Sequence, residues 1–331
     1  MENTHLKEPD LTLSRIALGT WAIGGWMWGG TDEQAAIDAI RAAVDLGIRV
    51  VDTAPVYGFG RSEEIVGKAL SGIDRDKVVV ATKCGLDWNE NGPFRNASKE
   101  RISKEIDDSL RRLKVDVIDV YQVHWPDPLT PMEETAETMA ELVRQAKIRA
   151  VGVSNFSRSQ METFMAHAPL HICQPPFNIF ETSATEELIP FGRERDVGLM
   201  TYGALCRGLL TGKFDEKASF EGDDLRKVDP KFQQPRFGQY LKAVSELDAF
   251  VREKYDRRVI HLALRWILDQ GVDVAIWGAR RPDQLDPVKD VFDWRLDSED
   301  IQAVERIVSD NVSDPVGPEF MAPPDREGNT P

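Results

Sequence analysis

The chain has 331 residues, 41% hydrophobic and 29% charged, a composition ordinary for a globular protein with one large core or two average ones. Its net charge of −15 argues against broad attraction to nucleic acid or an anionic membrane, so an anionic ligand needs a local cluster of cations. There is no apolar signal core at the N-terminus and no window near the roughly 18 apolar residues of a membrane span, and Cys84, Cys173 and Cys206 are too scattered for a disulfide framework or a CxxC metal site, so a cytoplasmic protein with these thiols buried is expected.

From Arg15 to about residue 290, short apolar or β-branched runs alternate with stretches of helical period, the pattern of repeated βα units. In chain order, strands are expected at 15–21, 49–54, 78–84, 117–124, 149–155, 171–177, 197–204 and 272–279. "TDEQAAIDAIRAAVDLG" reads as a helix with Thr31 or Asp32 as N-cap and Gly47 closing it in the left-handed conformation. Ser98 is the expected N-cap of "SKERISKEIDDSLRRL", and "PMEETAETMAELVRQAKI" has proline and acids in its first turn. The connection 205–236 is far longer than the others, which marks it as functional or as carrying small elements of its own. "SEDIQAVERIVS" (298–309) reads as an additional helix, and the tail from about 312 to 331 is too rich in proline and glycine to be regular, with a mobile end expected. Eight strands with interposed helices and no linker imply a (β/α)8 TIM barrel over residues 1–331 as one domain. A six-stranded doubly wound sheet is the alternative.

In such a barrel, polar residues at the C-terminal ends of strands converge on one mouth. The second strand ends at Asp52 with Tyr57 in its loop, the third reaches Lys83 and the fourth ends at His124. A tyrosine of ordinary pKa about 10 can donate a proton near neutrality if a nearby ammonium stabilises its phenolate. Lys83 supplies that charge, Asp52 holds Lys83, and His124 can bond a substrate oxygen. Taken singly each residue has a plain structural explanation; the conjunction points to proton delivery to a carbonyl. Gly58 and Gly60 do not form a Rossmann loop, because three residues separate them from the strand and Glu63 stands where a third glycine belongs. "CRGLLTGKF" fails as a P-loop at Arg207 and Phe214, and five scattered histidines argue against a metal site. Arg207, Gly208, Lys213, Arg226, Arg280 and Arg281 fall after the last two strands, the usual phosphate region of a barrel. Trp21, Trp26, Trp28, Trp88 and Trp125 lie in or near mouth loops and suggest an apolar pocket wall.

The blocks "LGTWAIGG", "DTAPVYGFGRSEEIVGKAL", "VVVATKCG", "YQVHWPDP", "IRAVGVSNF", "QPPFNIFE" and "YGALCRGLLTGKF" resemble the aldo-keto reductase superfamily in order and over nearly the whole chain. "WAIGGWMWGGTDE", "FEGDDLRKVDPKFQQPRF" and "SDPVGPEFMAPP" resemble its bacterial general stress members and their glycerol dehydrogenase or glyceraldehyde reductase relatives. The resemblance implies carbonyl reduction, or the reverse oxidation of small polyols, with NADP(H) and no metal, through a tetrad of Asp52, Tyr57, Lys83 and His124. It places nicotinamide contacts on Ser154, Asn155 and Gln174, and ring stacking on Tyr202. Further cofactor contacts are implied at Gly19, Thr20, Trp21, Asp52, Gly203, Ala204, Leu205, Cys206, Arg207, Gly208, Lys213, Arg226, Gly278, Ala279, Arg280 and Gln284. The pattern departs from many relatives at Trp277 and Val288, where they carry proline and an adenine-contacting asparagine. A monomer acting on small molecules is expected, with an oligomer left open. A nucleotide-binding redox sensor with the same fold, as in the potassium-channel β-subunit branch, is the alternative function; a sugar-phosphate barrel enzyme without nicotinamide fits the residues after strands five to seven less well.

Overall fold

Strand residues in this chain alternate between two buried surfaces, which explains their near-continuous apolar character. The computed structural model describes residues 1–326. Its strands are β1 (Asn3–Leu6), β2 (Leu11–Ser14), β3 (Ile16–Gly19), β4 (Val50–Asp52), β5 (Val79–Cys84), β6 (Leu86–Asn89), β7 (Gly92–Arg95), β8 (Ile118–Val123), β9 (Ile148–Ser154), β10 (Ile172–Gln174), β11 (Gly198–Thr201) and β12 (Val274–Gly278). β3, β4, β5, β8, β9, β10, β11 and β12 close in that order into a parallel barrel, with β12 returning to β3 through the pairs Ile276 with Ala17 and Gly278 with Gly19. Closure excludes the doubly wound alternative, and each barrel strand falls on or within a residue of the run expected for it.

Two antiparallel hairpins, β1–β2 and β6–β7, lie outside the barrel sheet and were not anticipated. The first plugs the N-terminal end, where Leu6, Leu11 and Leu13 join the interior layer of Val50, Val79, Val120, Ile172 and Val274. The helices are α1 (Trp21–Gly24), α2 (Glu33–Asp45), α3 (Arg61–Leu70), α4 (Lys99–Leu113), α5 (Met132–Arg144), α6 (Arg158–Met165), α7 (Leu188–Arg195), α8 (Arg236–Tyr255), α9 (Val259–Asp269) and α10 (Ser298–Asn311). Asp32, not Thr31, caps α2 by accepting from Ala35 N–H, and Gly47 takes φ +83° beyond its end. Ser98 caps α4 as expected, whereas Pro131 occupies the N-cap of α5, one place before the first turn. α10 packs against α8. The long connection carries three 3-10 turns, Cys206–Thr211, Leu225–Lys227 and Pro230–Phe232.

The tail is irregular but fastened. Lys231 Nζ donates to Gly317 O, Arg95 donates to the carbonyls of Pro323 and Pro324, and Arg326 pairs with buried Asp127 at 3.3 Å. The end expected to be mobile, 327–331, lies outside the described residues. Among the described residues no helix is long and apolar enough to cross a membrane.

Candidate active site

The interior layer fixes where the polar side chains go. Successive strand residues face opposite sides, so two places beyond an inward-facing apolar residue the next inward position follows. From Val50, Ala81, Val120, Ala150, Ile172 and Met200 this rule reaches Asp52, Lys83, Gln122, Gly152, Gln174 and Tyr202, and one step further His124 and Ser154. The mouth is therefore the polar upper row of an otherwise apolar barrel.

Within it Lys83 Nζ donates to Asp52 Oδ2 at 2.7 Å, to Thr53 O at 3.0 Å and to the Tyr57 hydroxyl at 3.3 Å, which engages all three of its protons. The Tyr57 and His124 rings meet edge to face at 5.8 Å. Tyr57 is set by a backbone crossing: a Cβ on Gly58, at φ +69°, would lie 2.2 Å from Gly24 O, and one on Gly24 would lie 2.5 Å from Tyr57 O, so α1 and the Tyr57 turn approach this closely only through two glycines. Burial, and secondarily the Asp52 charge, push the Tyr57 phenol well above its ordinary pKa. Burial and then the Lys83 ammonium hold His124 well below its usual range, as the neutral imidazole. Burial also lowers Lys83, opposed by Asp52. The phenol is thus a firmly held acid, whereas the sequence pattern alone suggested an ammonium-lowered one; burial outweighs the neighbouring charge.

The residues named for the cofactor divide into four groups. Ser154, Asn155, Gln174, Tyr202 and Trp21 line the cavity beside Tyr57 and His124. Asn155 is held at φ +61°, donates to His124 O and accepts from the Tyr202 hydroxyl at 2.8 Å. Gly19 and Thr20 instead secure Asp52: Gly19 pairs with it across β3 and β4, and the Thr20 hydroxyl donates to its carbonyl at 3.0 Å.

In the turn Gly203–Gly208, Gly203, Cys206, Arg207 and Gly208 all have positive φ, while Ala204 is buried and Leu205 partly so. The Arg207 guanidinium corrects the expectation of a phosphate donor. It is buried between Glu181, at 2.8 Å, and Asp229, so its charge is already matched by two carboxylates.

The fourth group is centred on Arg226 and Arg280. Arg226 pairs with Asp224 and lies 4.3 Å from the Phe220 ring centroid and 5.5 Å from that of Trp28. Arg280 donates to Trp28 O at 2.9 Å, and Gln284 Oε1 accepts from its backbone N–H at 2.7 Å. Burial, then repulsion by Arg226, lowers the Arg280 pKa, and the Asp224 carboxylate opposes that shift. Gly278, Lys213 and Arg281 are exposed nearby in sequence or charge, and Ala279 is buried. Asp223 accepts from Met27 N–H and Gly29 N–H, so the long connection is stitched across to the loop after α1.

The aldo/keto reductase family model matches residues 15–309. The chain belongs to the aldo/keto reductase family. It is 57% identical to the aldo-keto reductase YhdN of Bacillus subtilis (strain 168), over 99% of both chains, and 37% identical to the NADH-specific methylglyoxal reductase of Escherichia coli (strain K12), over 86% of this chain and 91% of that one. The solved structure of the glycerol dehydrogenase AKR11B4 from Gluconobacter oxydans matches with a TM-score of 0.87 and 49% identity, covering 97% of this chain and 99% of that one.

In this aldo/keto reductase the mouth cavity, about 340 Å³, has walls that sequence reasoning did not place. Leu86, Asn91 and Pro93 come from the β6–β7 hairpin, and Phe320, Met321 and Pro323 from the tail. Trp21, Trp26 and Trp125 line it as expected, whereas Trp88 packs on Phe59 and under Arg101 and Trp28 on Trp21. A larger groove of about 1080 Å³ lies at the opposite end of the barrel beside β2. Its Arg75 and Arg149 are paired with buried Asp119 and carry no arrangement for carbonyl chemistry, so the smaller cavity is the candidate site. Gln122 was also missed, although its place two residues before His124 puts it on the same inward face.

Proposed function

We propose that the chain is an NADP(H)-dependent oxidoreductase that reduces aldehydes or ketones, with Tyr57 as proton donor, acting on small molecules in the cytoplasm. The observation that carries this reading is the Asp52, Lys83 and Tyr57 chain of contacts beside a neutral His124. A phosphorylated dinucleotide fits the mutually repelling Arg226 and Arg280, with Lys213, Gly278, Ala279 and Gln284 around them, and Ser154, Asn155, Gln174 and Tyr202 are the residues to hold its other end. When bound, the nicotinamide supplies hydride to the carbonyl carbon. Tyr57 gives its proton to the carbonyl oxygen, which a His124 ring N–H orients. The Lys83 ammonium at 3.3 Å stabilises the phenolate left behind, and Asp52 keeps that ammonium charged and aimed.

Beyond Tyr57 and His124 the substrate side of the cavity is mainly Trp26, Val56, Leu86, Trp125 and Phe320, which suits a carbonyl carried on an apolar body. Oxidation of glycerol, the activity named for the Gluconobacter relative, runs the steps backwards and requires Tyr57 as phenolate, a state that burial and Asp52 oppose. The Escherichia coli relative is named NADH-specific; the arginine pair is what favours NADPH here.

The test is reduction of short, alkyl and aromatic aldehydes with NADPH and with NADH, followed by nicotinamide absorbance. NADPH-dependent turnover is expected, and Tyr57→Phe is expected to lower kcat on the order of 10²- to 10⁴-fold with little change in NADPH affinity. Tight NADPH binding without turnover of any carbonyl would instead favour the redox-sensing role, and equal use of NADH would remove the argument from Arg226 and Arg280.

A further inference from the structure

Gln122 on β8 is wholly buried, and a buried carboxamide must find partners for both its ends. Its Oε1 accepts from Gln174 Nε2 at 3.1 Å, and its Nε2 approaches Asp52 Oδ1 at 3.4 Å. Gln174 Nε2 also donates to that Asp52 oxygen, at 2.9 Å. A carboxylate and an amide oxygen only accept, so they require the nitrogen end of Gln174 to face them. Both amide protons of Gln174 are thereby engaged inside the barrel, and its Oε1, which accepts no hydrogen bond among the described residues, is left on the cavity side.

Room for this arrangement is built into the neighbouring strand. Gly152 pairs with Gln122 across β8 and β9, and a Cβ there would lie 2.7 Å from Gln122 Cγ. The Gln122 side chain therefore lies across a position where a Cβ would displace it.

We propose that Gln122 is a positioning residue that, with Asp52, locks the carboxamide of Gln174 so that its oxygen is presented to the nicotinamide carboxamide, joining the proton-transfer machinery to the cofactor site. The inference rests on the NADP(H)-dependent reading above. Gln122 touches neither reacting atom and acts through Gln174. If the lock is lost, Gln174 can rotate and its oxygen is offered in several directions, which weakens cofactor binding before any chemistry occurs.

The experiment measures NADPH dissociation constants by quenching of tryptophan fluorescence, with no carbonyl substrate present, and thermal melts alongside. Gln122→Met keeps the volume and removes both hydrogen bonds, and is expected to weaken NADPH binding about three- to tenfold. In a Gln174→Met background, Gln122→Met is expected to cost nothing further, because its effect passes through Gln174. Gly152→Ala displaces Gln122 without altering either amide, is expected to weaken binding likewise, and decides the matter if Gln122→Met does not fold. Wild-type affinity in both Gln122→Met and Gly152→Ala, or losses that multiply in the double variant, would overturn the positioning role while leaving the reductase intact. A wild-type protein that neither binds NADPH nor reduces carbonyls would overturn the reductase reading instead.

Discussion

At Tyr57 a single proton decides the direction of chemistry. Burial and Asp52 keep the phenol protonated, and burial with Lys83 keeps His124 neutral, so both side chains facing the carbonyl hold one protonation state through neutrality. Reduction uses the phenol and is expected to vary little between about pH 6 and 8. Oxidation uses the phenolate, whose fraction rises tenfold per pH unit below its pKa, so kcat for the alcohol is expected to climb about a hundredfold over the same range. Measuring kcat in both directions with one aldehyde and alcohol pair checks the sign; an oxidation rate independent of pH would remove Tyr57 as the base. Asp52, Lys83, Tyr57 and His124 were legible in the sequence because charged or phenolic groups at strand ends stand out against apolar runs. Gln122 was not, since an uncharged amide inside "YQVH" carries no such contrast. Arg207 misled because spacing cannot reveal that a guanidinium is buried between Glu181 and Asp229.

Between β5 and α4, the element that shapes the pocket is held by a titratable clamp. Buried Glu105 accepts from Gly85 N–H at 2.8 Å and from Arg101 at 3.0 Å, and Arg101 in turn donates to Leu86 O and pairs with Asp87 in the β6–β7 hairpin. Burial raises the Glu105 carboxyl from 4.5 to about 7, so the folded chain holds this proton more tightly than the unfolded one. Its contribution to stability is complete below about pH 4.5 and is lost as pH rises through 7. Glu105→Gln, uncharged throughout, is expected to gain about 2–3 kcal/mol relative to the wild type between pH 5 and 8, read from urea midpoints. A constant difference would show that the carboxyl is already ionised at pH 5. The hairpin itself was missed because "LDWN" and "GPFR" are short and partly polar; Asn91-Gly92 at the entry to the second strand, with Gly92 at φ +114°, is the turn signal that marks it.

Over the whole molecule, eight strands could be read from their apolar runs because each is buried on both faces, whereas the closure of the mouth depends on segments far apart in sequence. Glu181 beyond β10, Arg207 beyond β11, and Asp229 and Lys231 in the long connection form a buried set of two anions and two cations. Lys231 reaches the tail at Gly317 O, and the Arg207 guanidinium lies 5.7 Å from the Phe320 ring centroid, so this set ties the tail wall of the pocket to the barrel. Asn178 extends it, donating to Glu181 at 2.7 Å and to Gly203 O beside Tyr202. Such a set contributes through balance: a pair of opposite charges is costly to bury, but one removed partner leaves a bare charge, a loss of about 3–5 kcal/mol. Lys231→Met is therefore expected to lower stability by about that much. Adding Glu181→Gln removes the opposite charge, leaves Arg207 with Asp229, and is expected to restore more than half of the loss. The two single variants and the double, compared by urea denaturation, form a cycle in which positive coupling supports charge balance as the organising term. Losses that simply add would mean that Lys231 acts through packing and its bond to Gly317, and that the mouth is held shut by the tail contacts rather than by the ions beneath them.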